Sequence, residues 1–148
     1  MKRKGTYKII AEKSLIVQFY SGDVFMEDLI YLQKIISNEL NYKPTFDIVA
    51  DFSEANLILT EKDLNDYSEF IKNHPKIQGK RKAAYLTSKP QEVVMTTLFS
   101  ELIKDTSIQP NIFSTTIAIV NWLNKEEVDN QFLSLVINEL KTQPNTRS

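Results

Sequence analysis

The 148-residue chain carries 18 Lys and Arg against 19 Asp and Glu, and a net charge of −1 removes any bulk electrostatic drive toward nucleic acid or an anionic membrane. With no cysteine it can form neither disulfides, thiolate nucleophiles nor sulfur-ligated metal sites. Its three glycines, Gly5, Gly22 and Gly79, are scattered, whereas a dinucleotide fingerprint or a phosphate loop needs them clustered so that backbone amides can close on phosphate.

In chain order, Thr6–Glu12 and Leu15–Tyr20 read as two strands around the polar break Lys13-Ser14, an antiparallel hairpin. Ser21-Gly22-Asp23 breaks the second strand. A helix is predicted from Phe25 to Leu40, with Phe25, Leu29, Leu32, Ile36 and Leu40 on its inner stripe and Glu27 and Asp28 in the first turn, where the dipole favours negative charge. Pro44 cannot continue it. Phe46–Phe52, FDIVADF, is an almost unbroken apolar run ending in a carboxylate, the pattern of a strand buried on both faces. Thr60 is the expected N-cap of a helix over Glu61–Asn73, with Leu64, Tyr67, Phe70 and Ile71 facing inward and His74-Pro75 as its stop.

Lys76, Lys80, Arg81 and Lys82 form a basic connector that reads as a solvated loop. Ala83–Leu86 is a short strand. Ser88 and Gln91 fit a capping box for a helix from Pro90 to about Lys104 that is apolar on more than one side. Asn111–Phe113 is a brief strand, Ser114 or Thr115 caps a helix through Trp122 and Leu123, and Glu126–Lys141 is amphipathic, with Val128, Phe132, Leu135, Val136 and Leu140 on one face. Pro144–Ser148 is a polar tail. Strands alternating with helices after a hairpin predict an α/β domain: a sheet of about five strands, mostly parallel, with helices on its faces and one extra C-terminal helix.

The stretches IVADFSEA, the helix ending at NHP, RKAAYLTS with a Pro-containing helix, and IFSTTIAIVNWL together resemble the SpoIIAA-like group of STAS-like domains over residues 7 to 123. The expected organisation is a STAS-like domain over 1–124, an additional amphipathic helix over 125–141 and a tail over 142–148. The resemblance implies a small α/β domain with helices packed on a sheet, and STAS relatives include anti-sigma-factor antagonists. With apolar helix faces to spare and almost no inventory for catalysis, a non-enzymatic interaction or regulatory module is expected. Those antagonists among the STAS relatives are switched by phosphorylation of a Ser at the start of the helix after the central strand. The matching position here holds Glu61, with Thr60 beside it and Lys62 in place of the usual glycine. CRAL-TRIO lipid-binding domains share the general plan, which implies an apolar pocket as the alternative.

In open α/β sheets ligands sit beyond the carboxyl ends of parallel strands. That rule brings Ser21, Asp51, Ser53, Thr87 and Ser88 forward as an edge for a ligand or partner, joined by Thr60, the hydroxyl beside the position the resemblance matches, although the same hydroxyls also serve as caps and the same carboxylate as a turn acceptor. His74, the single histidine, lacks the G-x-S-x-G turn of a hydrolase triad, and one His without Cys makes a poor zinc site. No cofactor or metal is expected. Asp51 or Glu54 would have to be the general base of any catalysed reaction. The predicted partners are another protein or a second copy of the chain, through Leu98, Phe99, Phe132 and Leu135. The alternative is an apolar small molecule framed by Tyr20, Phe52, Tyr85 and Phe113. No run reaches the ~20 apolar residues of a bilayer span, and the basic start is followed by no signal-type apolar core, so a cytoplasmic protein is expected.

Overall fold

A computed structural model describes residues 4–143; the first three residues and the expected tail Pro144–Ser148 lie outside them. The strands β1 (Gly5–Ile10), β2 (Leu15–Phe25), β3 (Asp47–Ile58), β4 (Arg81–Leu86) and β5 (Ile108–Phe113) form one sheet in the order β1-β2-β3-β4-β5. Only β1 and β2 pair antiparallel; the other neighbours are parallel. The hairpin turns through a 3-10 turn at Ala11–Lys13, with Ser14 left-handed at φ 50°.

The parallel strands are joined by the helices α1 (Met26–Ser37), α2 (Glu61–Lys72) and α3 (Pro90–Ile103), and α4 (Thr116–Leu123) and α5 (Asn130–Lys141) follow β5. Side chains alternate across a strand, so each strand feeds two cores. Ile16, Tyr20, Ile48, Ala50, Phe52, Ala83 and Tyr85 pack under α1, α2 and α3. Leu15, Val17, Phe19, Val49, Ala84 and Leu86 pack under α4 and α5. The FDIVADF run is therefore interior on both sides, and Val49 is wholly buried.

Several boundaries differ from the sequence reading. The Ser21-Gly22-Asp23 stretch does not end β2, and β3 does not stop at Phe52. The two strands continue together as a parallel ribbon from Ser21↔Glu54 to Phe25↔Ile58, beyond the last β4 pair at Asp51↔Leu86. Between the pairs Phe19↔Asp51 and Ser21↔Glu54, β3 advances one residue more than β2, which makes a β-bulge at Phe52-Ser53. Gly22, at φ +75°, gives β2 the backbone freedom to continue past the bulge.

The first helix is shorter than predicted. Phe25 and Leu40 are exposed, while Met26, Leu29, Leu32 and Ile36 form the buried stripe. The inward stripe of α5 is Leu133, Val136, Ile137 and Leu140; Leu135 faces outward. That helix covers the second face of the sheet, where the Thr6 hydroxyl donates to the Leu140 carbonyl at 3.3 Å and Lys8 pairs with Glu139. Among the described residues no helix is long and apolar enough to cross a membrane.

Candidate functional site

Two places draw polar chemistry into the interior: the carboxyl end of β4, and a cavity under α1, α2 and α3.

At the first, Asp51 is 1% exposed and lies within β3 rather than at its end. Its Oδ1 accepts the Ser53 amide at 2.8 Å, which satisfies a backbone donor that the bulge takes out of the ladder. Next to Asp51's partner Leu86, buried Thr87 donates its hydroxyl to Glu92 Oε1 at 3.3 Å, and its amide donates to the Phe113 carbonyl. Glu92 is 1% exposed. Its other oxygen has no hydrogen bond, only the Lys89 ammonium at 3.5 Å. Burial pushes the Glu92 carboxyl above the usual range, and the Asp51 charge adds to this, while Lys89 and Thr87 oppose it. Lys89 also donates to the Ala55 carbonyl on the ribbon, at 2.9 Å.

The structure thus gathers Asp51, Ser53, Thr87 and Ser21 around the bulge, and leaves Thr60 and Ser88 out of that group. Ser21 sits across the bulge in β2. Thr60 lies beyond the ribbon, roughly 20 Å or more along it at about 3.3 Å per residue. There it caps α2 in a reciprocal box, accepting from the Asp63 amide while Asp63 accepts from the Thr60 amide. Ser88 is exposed and does not cap α3. Pro90 takes the first helical position, which makes Lys89 the N-cap residue, without a side-chain cap. Glu54, the other carboxylate considered as a base, is exposed and paired with Lys141 at 3.0 Å. His74 Nδ1 lies 2.6 Å from the Phe70 carbonyl at the end of α2.

The second place is a cavity of about 60 Å³ between the sheet and α1–α3. Its aromatic wall begins with Tyr20 stacked on Phe52 at 4.8 Å, and continues through Tyr85 to Phe99 and Tyr67. Phe113, expected as a fourth framing residue, packs instead on Trp122 at 5.3 Å toward the other face, because its strand position points it there.

Polar groups enter this apolar space. The Tyr20 hydroxyl and the Gln33 amide both donate to Gln18 Oε1, at 2.9 and 3.2 Å, and Gln18 Nε2 is left without a partner. Arg81, expected in a solvated basic loop, is 4% exposed and lines the cavity. Gln18 and Arg81 were legible in principle. Gln18 shares the period-2 side of Ile16 and Tyr20, and Arg81 shares that of Ala83 and Tyr85, so both had to face the same core.

No protein-family model matches the chain, and no curated protein does. Among solved structures, the chain is similar to an uncharacterized protein of the DUF3478 family with a SpoIIAA-like fold from Shewanella loihica PV-4. The identity is 15% and the TM-score 0.56, over 83% of this chain and 95% of that one. The likeness is one of architecture: the chain has a SpoIIAA-like fold, a single α/β domain on a five-stranded mixed sheet.

Proposed function

We propose that the protein is a non-enzymatic regulatory module of STAS-like type that works by binding another protein or a second copy of itself. The observation that carries this reading is the outer face of α3, where Val93, Val94 and Leu98 are 39%, 56% and 41% exposed on a helix whose other side is core. Val94 and Leu98 are neighbours at i, i+4 and present one apolar strip. The four residues first considered for self-association do not form one surface: Phe99 is buried, Phe132 is half-buried under the Lys13 ammonium, and Leu98 and Leu135 lie on helices covering opposite faces of the sheet. The carboxylates near the sheet edge are consistent with a role without catalysis, since Asp51 serves the bulge and Glu54 an ion pair.

Light scattering on the wild type and on Leu98→Glu at increasing concentration tests the proposal. A dimer that the variant loses supports self-association through α3. A wild type that stays monomeric at high concentration removes it and leaves only a different protein as partner.

The cavity supports a second reading, a small-molecule binding domain. Its wall is aromatic and the unpartnered Gln18 amide lines it. Native mass spectrometry of the freshly purified protein tests this, with a co-purifying small molecule as the expected result.

A further inference from the structure

Arg81 is a buried cation without a counterion. It makes none of the ion pairs found among the described residues, although a buried charge is ordinarily paired. Its guanidinium is anchored instead by neutral oxygens: Nη1 donates to the Tyr42 hydroxyl at 3.3 Å and to the Phe46 carbonyl at 3.5 Å, and Nη2 to the Ile77 carbonyl at 2.8 Å. A guanidinium has five N–H donors. Those three bonds leave Nε–H, which has no partner, and one hydrogen on Nη2. The two remaining donors are on neighbouring nitrogens, the pairing that holds a carboxylate bidentately.

The other groups near it are of the same kind. The Tyr67 and Tyr85 hydroxyls line the cavity and make no hydrogen bond of their own. Both lie within reach of the Arg81 charge, which opposes the strong upward push that burial gives their ionisation. Gln18 Nε2 is a further unused donor on the cavity wall. The unpartnered groups of Arg81, Gln18, Tyr67 and Tyr85 in this apolar space can all donate, and with a positive charge and no negative one among its lining residues it is complementary to a small anion that has an apolar body. The volume of about 60 Å³ limits the occupant to a few non-hydrogen atoms, since roughly 150 Å³ is what admits benzene.

We propose that this cavity binds a short aliphatic monocarboxylate, with its carboxylate on Arg81 and its carbons against the aromatic wall. The inference rests on the small-molecule reading above and narrows it to one ligand class.

The test is a titration of the isotope-labelled protein with sodium propionate at constant ionic strength, followed by NMR at the Arg81 Nε–H and Gln18 side-chain amide signals, with 1-propanol as the neutral control. Propionate is expected to bind with a Kd of about a millimolar, as befits so few atoms, and to move the Nε–H signal, while propanol leaves that signal in place. Arg81→Met is expected to weaken propionate about tenfold or more, as loss of a charged hydrogen bond does. Should that variant fail to fold, Tyr85→Phe, which removes only a hydroxyl, is expected to weaken it severalfold. If propanol perturbs the cavity signals and propionate does not, the anion assignment fails and the small-molecule reading stands. If neither ligand perturbs them, both fail. Propionate bound equally well by a folded Arg81→Met variant also overturns the assignment.

Discussion

The two faces of the sheet are made by adjacent residues of the same strands, yet they are finished differently. The face under α4 and α5 is mainly aliphatic, with Phe19 its one buried aromatic among the described residues and Phe113, Trp122 and Phe132 at its margin. Leu15, Val17, Val49, Ala84, Ile119 and Leu133 are wholly buried there, and its charged groups stand at the rim in ion pairs such as Lys125–Asp47 at 3.0 Å and Lys141–Glu54. The face under α1, α2 and α3 is aromatic and encloses a cavity. The buried side-chain atoms without a hydrogen-bond partner, Gln18 Nε2, Arg81 Nε, Glu92 Oε2 and Ser100 Oγ, belong to strands and a helix of this side. Protein interiors are close-packed and their polar groups satisfied, so the face under α4 and α5 behaves as scaffold, and it is the cavity face that breaks the pattern. The face under α1, α2 and α3 departs from both rules at once, and such departures concentrate where a protein does its work.

Adjacent residues on β4 give the sharpest way to break this contrast. Ala83 lines the cavity, whereas Ala84, wholly buried, faces the aliphatic core. Ala84→Val adds volume where there is none to spare and is expected to cost about 1–3 kcal/mol, the usual penalty of overpacking. Ala83→Val adds the same atoms beside open space and is expected to change stability by less than about 1 kcal/mol in either direction. Urea unfolding of the two variants decides it. Equal losses would mean that the cavity face is as tightly filled as the other.

A smaller effect is expected at the bulge that separates the paired sheet from the free ribbon. Asp51→Ala deprives the Ser53 amide of its acceptor and should cost about 1–2 kcal/mol, whereas Asp51→Asn keeps a carbonyl oxygen there and should cost less. If Ala and Asn are equally harmful, Asp51 acts through its charge rather than as a backbone acceptor, and the sheet edge regains interest as a site.

The layered plan was legible because it depends on periodicity. FDIVADF has to be interior, Thr60 has to cap, and a hairpin followed by alternating strands and helices leaves few arrangements. The ribbon was not legible. Glu54, Asn56 and Ile58 on β3 are exposed, so SEANLI lacks the unbroken apolar pattern of a central strand, and only Ala55 and Leu57 reach the core. The candidate site was half visible. Asp51 and Thr87 stood out as polar groups at the ends of apolar runs, but Arg81 was hidden inside a basic run, and Lys and Arg runs are read as solvated. Glu92 was missed for the same reason: in the first turn of a helix a carboxylate is accounted for by the dipole, and its burial follows only from how α3 sits over Thr87.

That buried carboxyl supports the subtlest prediction. Glu92 is nearly sealed from solvent and raised above its ordinary pKa by burial, so below the ordinary glutamate value of about 4.3 it is protonated in both folded and unfolded chains and carries no charge penalty. As pH rises through that value, the unfolded chain releases its proton first and the folded chain holds it longer. The folded state then binds more protons, and stability falls until the pH passes the raised folded pKa, above which the loss is constant. Glu92→Gln has no such proton, so its stability measured by denaturation should hold between pH 4 and 7 while the wild type's declines relative to it. Lys89→Met removes the cation that opposes the shift, raises the folded pKa further and should carry the decline to higher pH. Parallel curves for wild type and Glu92→Gln would show that the Lys89 ammonium already offsets the burial of Glu92, and the carboxyl would then count among the satisfied groups of the molecule.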